Sequence, residues 1–219
     1  MNLHKQVATT AILLMLFATI GAGIVGLTHD NTIDAIKYNE QLTLLRNLNI
    51  ILPTSDYDND LLTDTIHVAP NTMLGTVSSS VAYRARKQGN PVAVVLSAIA
   101  PNGYNGPIHL LVGIKYDGSL AGVRVVKHRE TPGLGDAVEV RRSDWILSFD
   151  NKSLHNPEQK NWKVKRDGGQ FDQFTGATIT PRAIVKAVNS TLLYFKKHRE
   201  NLFKIKIPEN KPKDSATTS

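Results

Sequence analysis

The stretch Asp172-Gln173-Phe174-Thr175-Gly176-Ala177-Thr178-Ile179-Thr180-Pro181 sets a loop of small residues against the start of a helix. Thr180-Pro181 predicts that start, with threonine as N-cap and proline, whose φ is already helical, at the first helical position. Downstream, Ile184, Val188, Leu192 and Phe195 recur at intervals of 4, 4 and 3, one apolar stripe that must face a core. Lys196, Lys197, His198 and Arg199 then place positive charge at the predicted C-terminal end, where it complements the helix dipole. From Pro208 the sequence PENKPKDSATTS is polar and proline-punctuated, which predicts a disordered tail over 208–219.

Upstream of the loop the residues alternate in the manner of strands. Thr63–Val68, Val77–Lys87, Pro91–Ala98, Ile108–Tyr116 and Leu120–His128 are the predicted β-runs. Asp117-Gly118 is a two-residue turn signal joining the last two. Ala121, Val123 and Val125 would share one face of the last run, leaving Arg124 on the other. Asp136–Leu147 fits helix or strand equally. Trp162–Lys165 reads as a short strand, followed by a turn at Asp167-Gly168-Gly169. The fold class is therefore α+β, a single antiparallel-rich sheet domain packed with helices over 61–207.

The N-terminal quarter is different in kind. No Asp, Glu, Lys or Arg occurs between Lys5 and Asp30, and Ala8–Leu27 reads ATTAILLMLFATIGAGIVGL. About 20 residues at 1.5 Å each cover the ~30 Å hydrocarbon core of a bilayer. A cleaved signal peptide is the rival, since Gly21-Ala22-Gly23 has suitably small residues, but its apolar region is usually ~7–15 residues and this one is longer. The reading is one transmembrane helix over 8–27 behind a short cytoplasmic N-terminus (1–7). Lys5 before the span, and Asp30 and Asp34 after it, put the N-terminus in the cytoplasm and the remainder outside. Gly21, Gly23 and Gly26 spell G-x-G-x-x-G, but inside an apolar helix they serve close helix approach and not a dinucleotide. Residues 28–60 connect span to domain, through a helix over Asn31–Asn47, a stop at Pro53 and the acidic loop SDYDND.

Composition narrows the function. The chain of 219 residues has no cysteine, which excludes disulfides, thiolate zinc, Cys-ligated clusters and a Cys nucleophile. Its net charge of +7 invites a nucleic-acid reading. Residues 28–195 carry 18 basic and 16 acidic side chains, whereas the end from Lys196 carries 7 and 3. The body is near neutral, which argues against a duplex-binding surface. The seven histidines are scattered with no ligand spacing, and Asp56, Asp58 and Asp60 lack the glycine and later glutamate of an EF-hand. Hydrolase, metalloprotease and P-loop motifs are absent.

Three loops remain. Gly103-Tyr104-Asn105-Gly106-Pro107-Ile108 leads into a central strand. Glu130-Thr131-Pro132-Gly133-Leu134-Gly135-Asp136 follows a strand, with Leu134 offering an apolar surface between two bare amides. Asp172–Thr178 runs into a helix N-terminus, where free N–H groups and the dipole favour an anion such as phosphate, here beside threonine hydroxyls. Each alone is an ordinary turn.

Asp172-x-x-Thr175-Gly176-Ala177-Thr178 resembles the flavinylation motif of FMN-binding domains, Asp-x-x-(Ser/Thr)-Gly-Ala-(Thr/Ser). The GYNGPI and ETPGLGD loops are similar to that family's flavin-pocket loops, in the same order. With one N-terminal anchor, the chain resembles the RnfG family, the G subunits of Rnf/Rsx electron transport complexes, and next the C subunits of sodium-pumping NADH:quinone reductases. The resemblance implies a covalent FMN, joined through a phosphoester to Thr178 by a separate FAD-dependent flavin transferase. It implies that Thr175, Gly176 and Ala177 shape the attachment loop and that Asp172 is read by the transferase. Leu134, with Gly133 and Gly135, would pack against and hydrogen-bond the flavin; Thr131, Glu130 and Tyr104 would complete the pocket. It implies an electron-carrying component of a bacterial inner-membrane complex coupled to ion translocation, with partner subunits supplying any iron–sulfur centres. A cofactor-free membrane-anchored binding module is the competing class, and a flavin domain serving a reductase or regulator is a third.

Overall fold

The computed structural model describes residues 3–204, and the predicted tail over 208–219 lies outside them. The chain divides into two units, with the boundary between Asn47 and Leu48.

The first unit is a helix. α1 (Leu3–Ile51) runs 49 residues without a break, so the separate span and connecting helix expected from the sequence are one element that crosses into the second unit. Nothing between Leu27 and Ile51 is proline or glycine, and Pro53 is the first residue that cannot continue the ladder. Along the apolar stretch Ile12, Leu14, Phe17 and Val25 are all more than half exposed. The helix is long and apolar enough to cross a membrane. Its threonines need no external partner: Thr9, Thr19 and Thr28 donate to the carbonyls of Lys5, Met15 and Ile24 one turn back.

The second unit is a five-stranded antiparallel meander, β1 (Thr65–Val68), β2 (Ser80–Lys87), β3 (Asn90–Gly103), β4 (Gly106–Lys115) and β5 (Leu120–Lys127), in sequential order. The five expected runs are these strands, with shifted ends. Gln88 and Gly89 both take positive φ in a tight β2–β3 turn. The β4–β5 connection is not a two-residue turn. Gly118 N–H donates to Lys115 O and Lys115 N–H to Ser119 O, so Tyr116-Asp117-Gly118 form a three-residue loop with glycine at φ +92°.

α2 (Ile179–Phe203) lays Ile184, Val188, Leu192 and Phe195, none more than 2% exposed, on one sheet face beside Leu96, Leu110, Val112 and Ile114. The other face is met by the last turn of α1. Gly113 and Gly122 pair across β4 and β5, and a Cβ on Gly113 would stand 2.2 Å from Ile51 Cγ2. Between β5 and α2 the ambiguous segment forms two 3-10 turns, Gly135–Val138 and Asp144–Phe149.

Trp162–Lys165 is not a strand. Trp162 and Phe171 pack with Phe149 in an aromatic cluster, and only Val164 bridges to Phe171. Burial of three rings, not a β-ladder, explains its apolar alternation. Lys196–Arg199 are not the end of α2 either, since the helix continues to Phe203. Arg199 instead covers the Tyr116 ring at 5.1 Å, and His198 stacks on Tyr194.

Candidate functional site

The three loops singled out in the sequence converge at the N-terminal end of α2. They enclose a cleft of about 290 Å³, at the small end of ligand pockets. Tyr104 comes from the β3–β4 turn; Glu130, Thr131, Leu134 and Gly135 from the segment after β5; Gly176, Ala177, Thr178, Ile179 and Thr180 from the loop into α2.

The loop into α2 is a tight turn. Ala177 N–H donates to Phe174 O at 3.1 Å, and Gly176 takes φ +80°, a conformation that disfavours any Cβ. Outside it, Trp145 Nε1 donates to Asp172 O at 2.8 Å and its ring meets Phe174 edge-on. The turn delivers Thr178 to the helix-capping position. The helix therefore begins two residues before the expected place, with Thr178 and not Thr180 as N-cap. Thr178 makes no capping hydrogen bond, and its hydroxyl has no partner among the described residues. Pro181 sits inside the first turn, where the missing N–H removes no ladder bond.

Thr180 is the second helical residue and does not cap; its hydroxyl engages a carboxylate instead. It is fully buried, and its hydroxyl donates to Glu130 Oε2. Glu130, 5% exposed, also accepts the amides of Asn105 on Oε1 at 3.0 Å and Tyr104 on Oε2 at 3.3 Å. One carboxylate thus ties the β3–β4 turn, the segment after β5 and α2 together. Space around it is tight: a Cβ on Gly135 would lie 2.8 Å from Glu130 Cβ, and one on Gly103 2.9 Å from Oε1. Glu130 N–H donates to His128 Nδ1, which leaves His128 Nε2 to donate to Glu139 at 2.7 Å. The Arg141 guanidinium, with help from His128, holds the Glu139 carboxyl below its usual range.

The second loop folds on itself. The amides of Leu134 and Gly135 both donate to Thr131 O, at 3.1 and 3.0 Å, so the Gly135 amide is not free for a ligand. Asn105 Nδ2 donates to Thr131 Oγ1 at 3.2 Å and joins this loop to the first. Leu134 remains 46% exposed, and with Tyr104 and Ile179 it forms an apolar rim.

Of the residues proposed from sequence, Tyr104, Glu130, Thr131, Leu134, Gly135, Gly176, Ala177 and Thr178 line the cleft. Gly133 and Thr175 are exposed near the turn tips and do not line it, and Asp172 lies outside, paired with Lys165 at 2.5 Å. Ile179, Asn105 and the Thr180–Glu130 bond carry no signal in the sequence. A threonine directly before Pro181 reads as a cap, and nothing local marks its acceptor 50 residues away. On the outer flank Arg182 forks onto Asp167, at 2.6 and 2.8 Å, which holds the Asp167 carboxyl low.

The FMN-binding domain family matches residues 103–193, and the RnfG N-terminal region matches 1–51. The G subunit of the ion-translocating oxidoreductase complex of Pseudoalteromonas atlantica is 48% identical over 201 residues, 92% of this chain and 94% of that protein. The protein of the same name in Vibrio atlanticus is 45% identical over 198 residues, 90% and 94% of the two chains. A crystal structure of Shewanella oneidensis NqrC aligns with a TM-score of 0.46 at 23% identity, over 66% of this chain and 74% of that one. With relatives this similar over nearly its whole length, the chain belongs to the RnfG family, the G subunits of ion-translocating oxidoreductase complexes.

Proposed function

We propose that this chain is the membrane-anchored, electron-carrying component of an Rnf-type complex, with FMN joined through a phosphoester to Thr178. The observation that carries the reading is the Thr178 hydroxyl: unpartnered among the described residues, at a helix N-terminus, in the wall of a cleft with an apolar rim. The site fits the group in two ways. The first-turn amides of α2, less the one Pro181 lacks, present N–H donors and a positive dipole end to a phosphate beside Thr178. Tyr104, Leu134 and Ile179 offer apolar surface to a flat ring system.

In the attachment step the Thr178 oxygen bonds to the FMN-side phosphorus of FAD. The pyrophosphate bond breaks, AMP leaves, and the hydroxyl proton passes to the transferase. Asp172, exposed at 68% with its carboxylate against Lys165, is available for the transferase to read. The flavin supplies the redox chemistry; the chain supplies attachment, orientation and electrostatic setting. Its α1 segment tethers the domain on the outer face of the bacterial inner membrane and brings it to the partner subunits.

Intact mass tests the attachment. Co-expressed with an FAD-dependent flavin transferase, the wild-type chain gains one FMN less one water, and Thr178→Val gains nothing. An unshifted wild-type mass beside an active transferase sinks the reading and leaves the cofactor-free binding module.

A further inference from the structure

Of the residues lining the cleft, Glu130 alone carries a charge. Its hydrogen-bond partners are all neutral: two backbone amides, one on each oxygen, and the Thr180 hydroxyl. Two obligate donors facing the two oxygens suit the ionised carboxylate. Arg142 pairs with Asp136, Arg182 with Asp167 and Lys165 with Asp172, and none of the three bonds Glu130. Water screens little of a side chain that is 5% exposed.

Resting on the flavin reading above, we propose that Glu130 is a positioning and electrostatic residue that holds the reduction potential of the bound flavin down. Oxidised flavin takes two electrons from its reductant and one proton from solvent, and the ring then carries one more negative charge. A fixed carboxylate in the same cleft raises the free energy of that product and leaves the neutral oxidised ring almost untouched. When a second proton is taken up the product is neutral, and the penalty disappears. Glu130 therefore acts on the potential above the pKa of the reduced flavin and not below it.

The test uses the full chain in detergent, loaded by the transferase, with flavin content checked by intact mass and the potential read by dithionite titration against reference dyes. Glu130→Gln keeps the volume and one carbonyl acceptor, and its amide can donate to Thr180. The variant is expected to favour the reduced form about tenfold at fixed ambient potential, a rise of about 30 mV for a two-electron couple. That rise should fade below the pKa of the reduced flavin. Thr180→Val keeps the charge, removes one of its donors, and is expected to lower the potential. Loaded Glu130→Gln with an unchanged or lower potential overturns the proposal and leaves the attachment intact. Should Glu130→Gln fail to load, Thr180→Val decides, and an unchanged or raised potential overturns it. A wild-type chain without FMN overturns both readings together.

Discussion

At Gly176 the backbone stands at φ +80° in a turn closed by Ala177 N–H on Phe174 O. An added Cβ would find its nearest neighbour, Leu134 Cδ2, at 3.8 Å, so the obstacle to a side chain there is conformational and not steric. Left-handed backbone costs an L-residue roughly 1–2 kcal/mol. Gly176→Ala is therefore expected to lower the unfolding free energy by about 1 kcal/mol in urea titration. It should also lower the fraction of chains loaded by the transferase, because relaxing that φ shifts Thr178 against the helix start. Equal loading with equal stability would show that the turn does not constrain the attachment residue. Gly135 presents the opposite case. Its φ is ordinary for any residue, but a Cβ there would meet Glu130 at 2.8 Å and Thr180 Oγ1 at 3.2 Å. The first glycine is legible from its motif; the second is not, because what crowds it comes from residues 130 and 180.

Elements are legible where their signal is local. The strand runs come from alternation and the α2 stripe from its spacing, and both depend on residues within one turn or one pleat of each other. Element ends are less legible because tertiary partners decide them. Basic side chains at 196–199 suggest the C-terminus of α2, yet the helix runs on to Phe203. Its terminal carbonyls are met from another element: Arg84 donates to Lys204 O at 2.7 Å and Arg86 to Phe203 O at 2.9 Å. Asp64 on the β1 side holds both guanidinium groups, at 2.5 and 2.8 Å. Cations from β2 thus complement the dipole that Lys196 and Arg199 do not reach. Removing one partner of a buried pair strands the other. Because Asp64 keeps Arg84, Arg86→Met is expected to cost about 2 kcal/mol in chemical denaturation, below the ~3–5 kcal/mol of a fully broken pair. Combined with Asp64→Asn, the two losses should be less than additive, since both report one network. Strict additivity would show that Arg86 serves α2 independently of Asp64.

Across the whole chain, two kinds of surface coexist. The domain buries its apolar side chains, whereas α1 leaves Ile12, Leu14, Phe17 and Val25 uncovered over a stretch free of Asp, Glu, Lys and Arg. Such a stretch is expensive in water and at home in lipid. By the bias of basic residues toward the cytoplasm, Lys5 before the stretch and Asp34 after it predict Lys5 inside and the FMN-binding domain outside. The phosphoester proposed at Thr178 would suit that placement, by retaining the cofactor where no cytoplasmic flavin pool could resupply it. The same composition provides the means of testing it. A chain with no cysteine gives a single introduced thiol as its only reactive label. Gln6→Cys marks the exposed residue before the stretch, and Lys160→Cys marks an exposed position in the domain. In intact spheroplasts a membrane-impermeant maleimide should label Lys160→Cys fully and Gln6→Cys only after lysis. Labelling of Gln6→Cys before lysis, or protection of Lys160→Cys, would reverse the orientation and put the flavin on the cytoplasmic side.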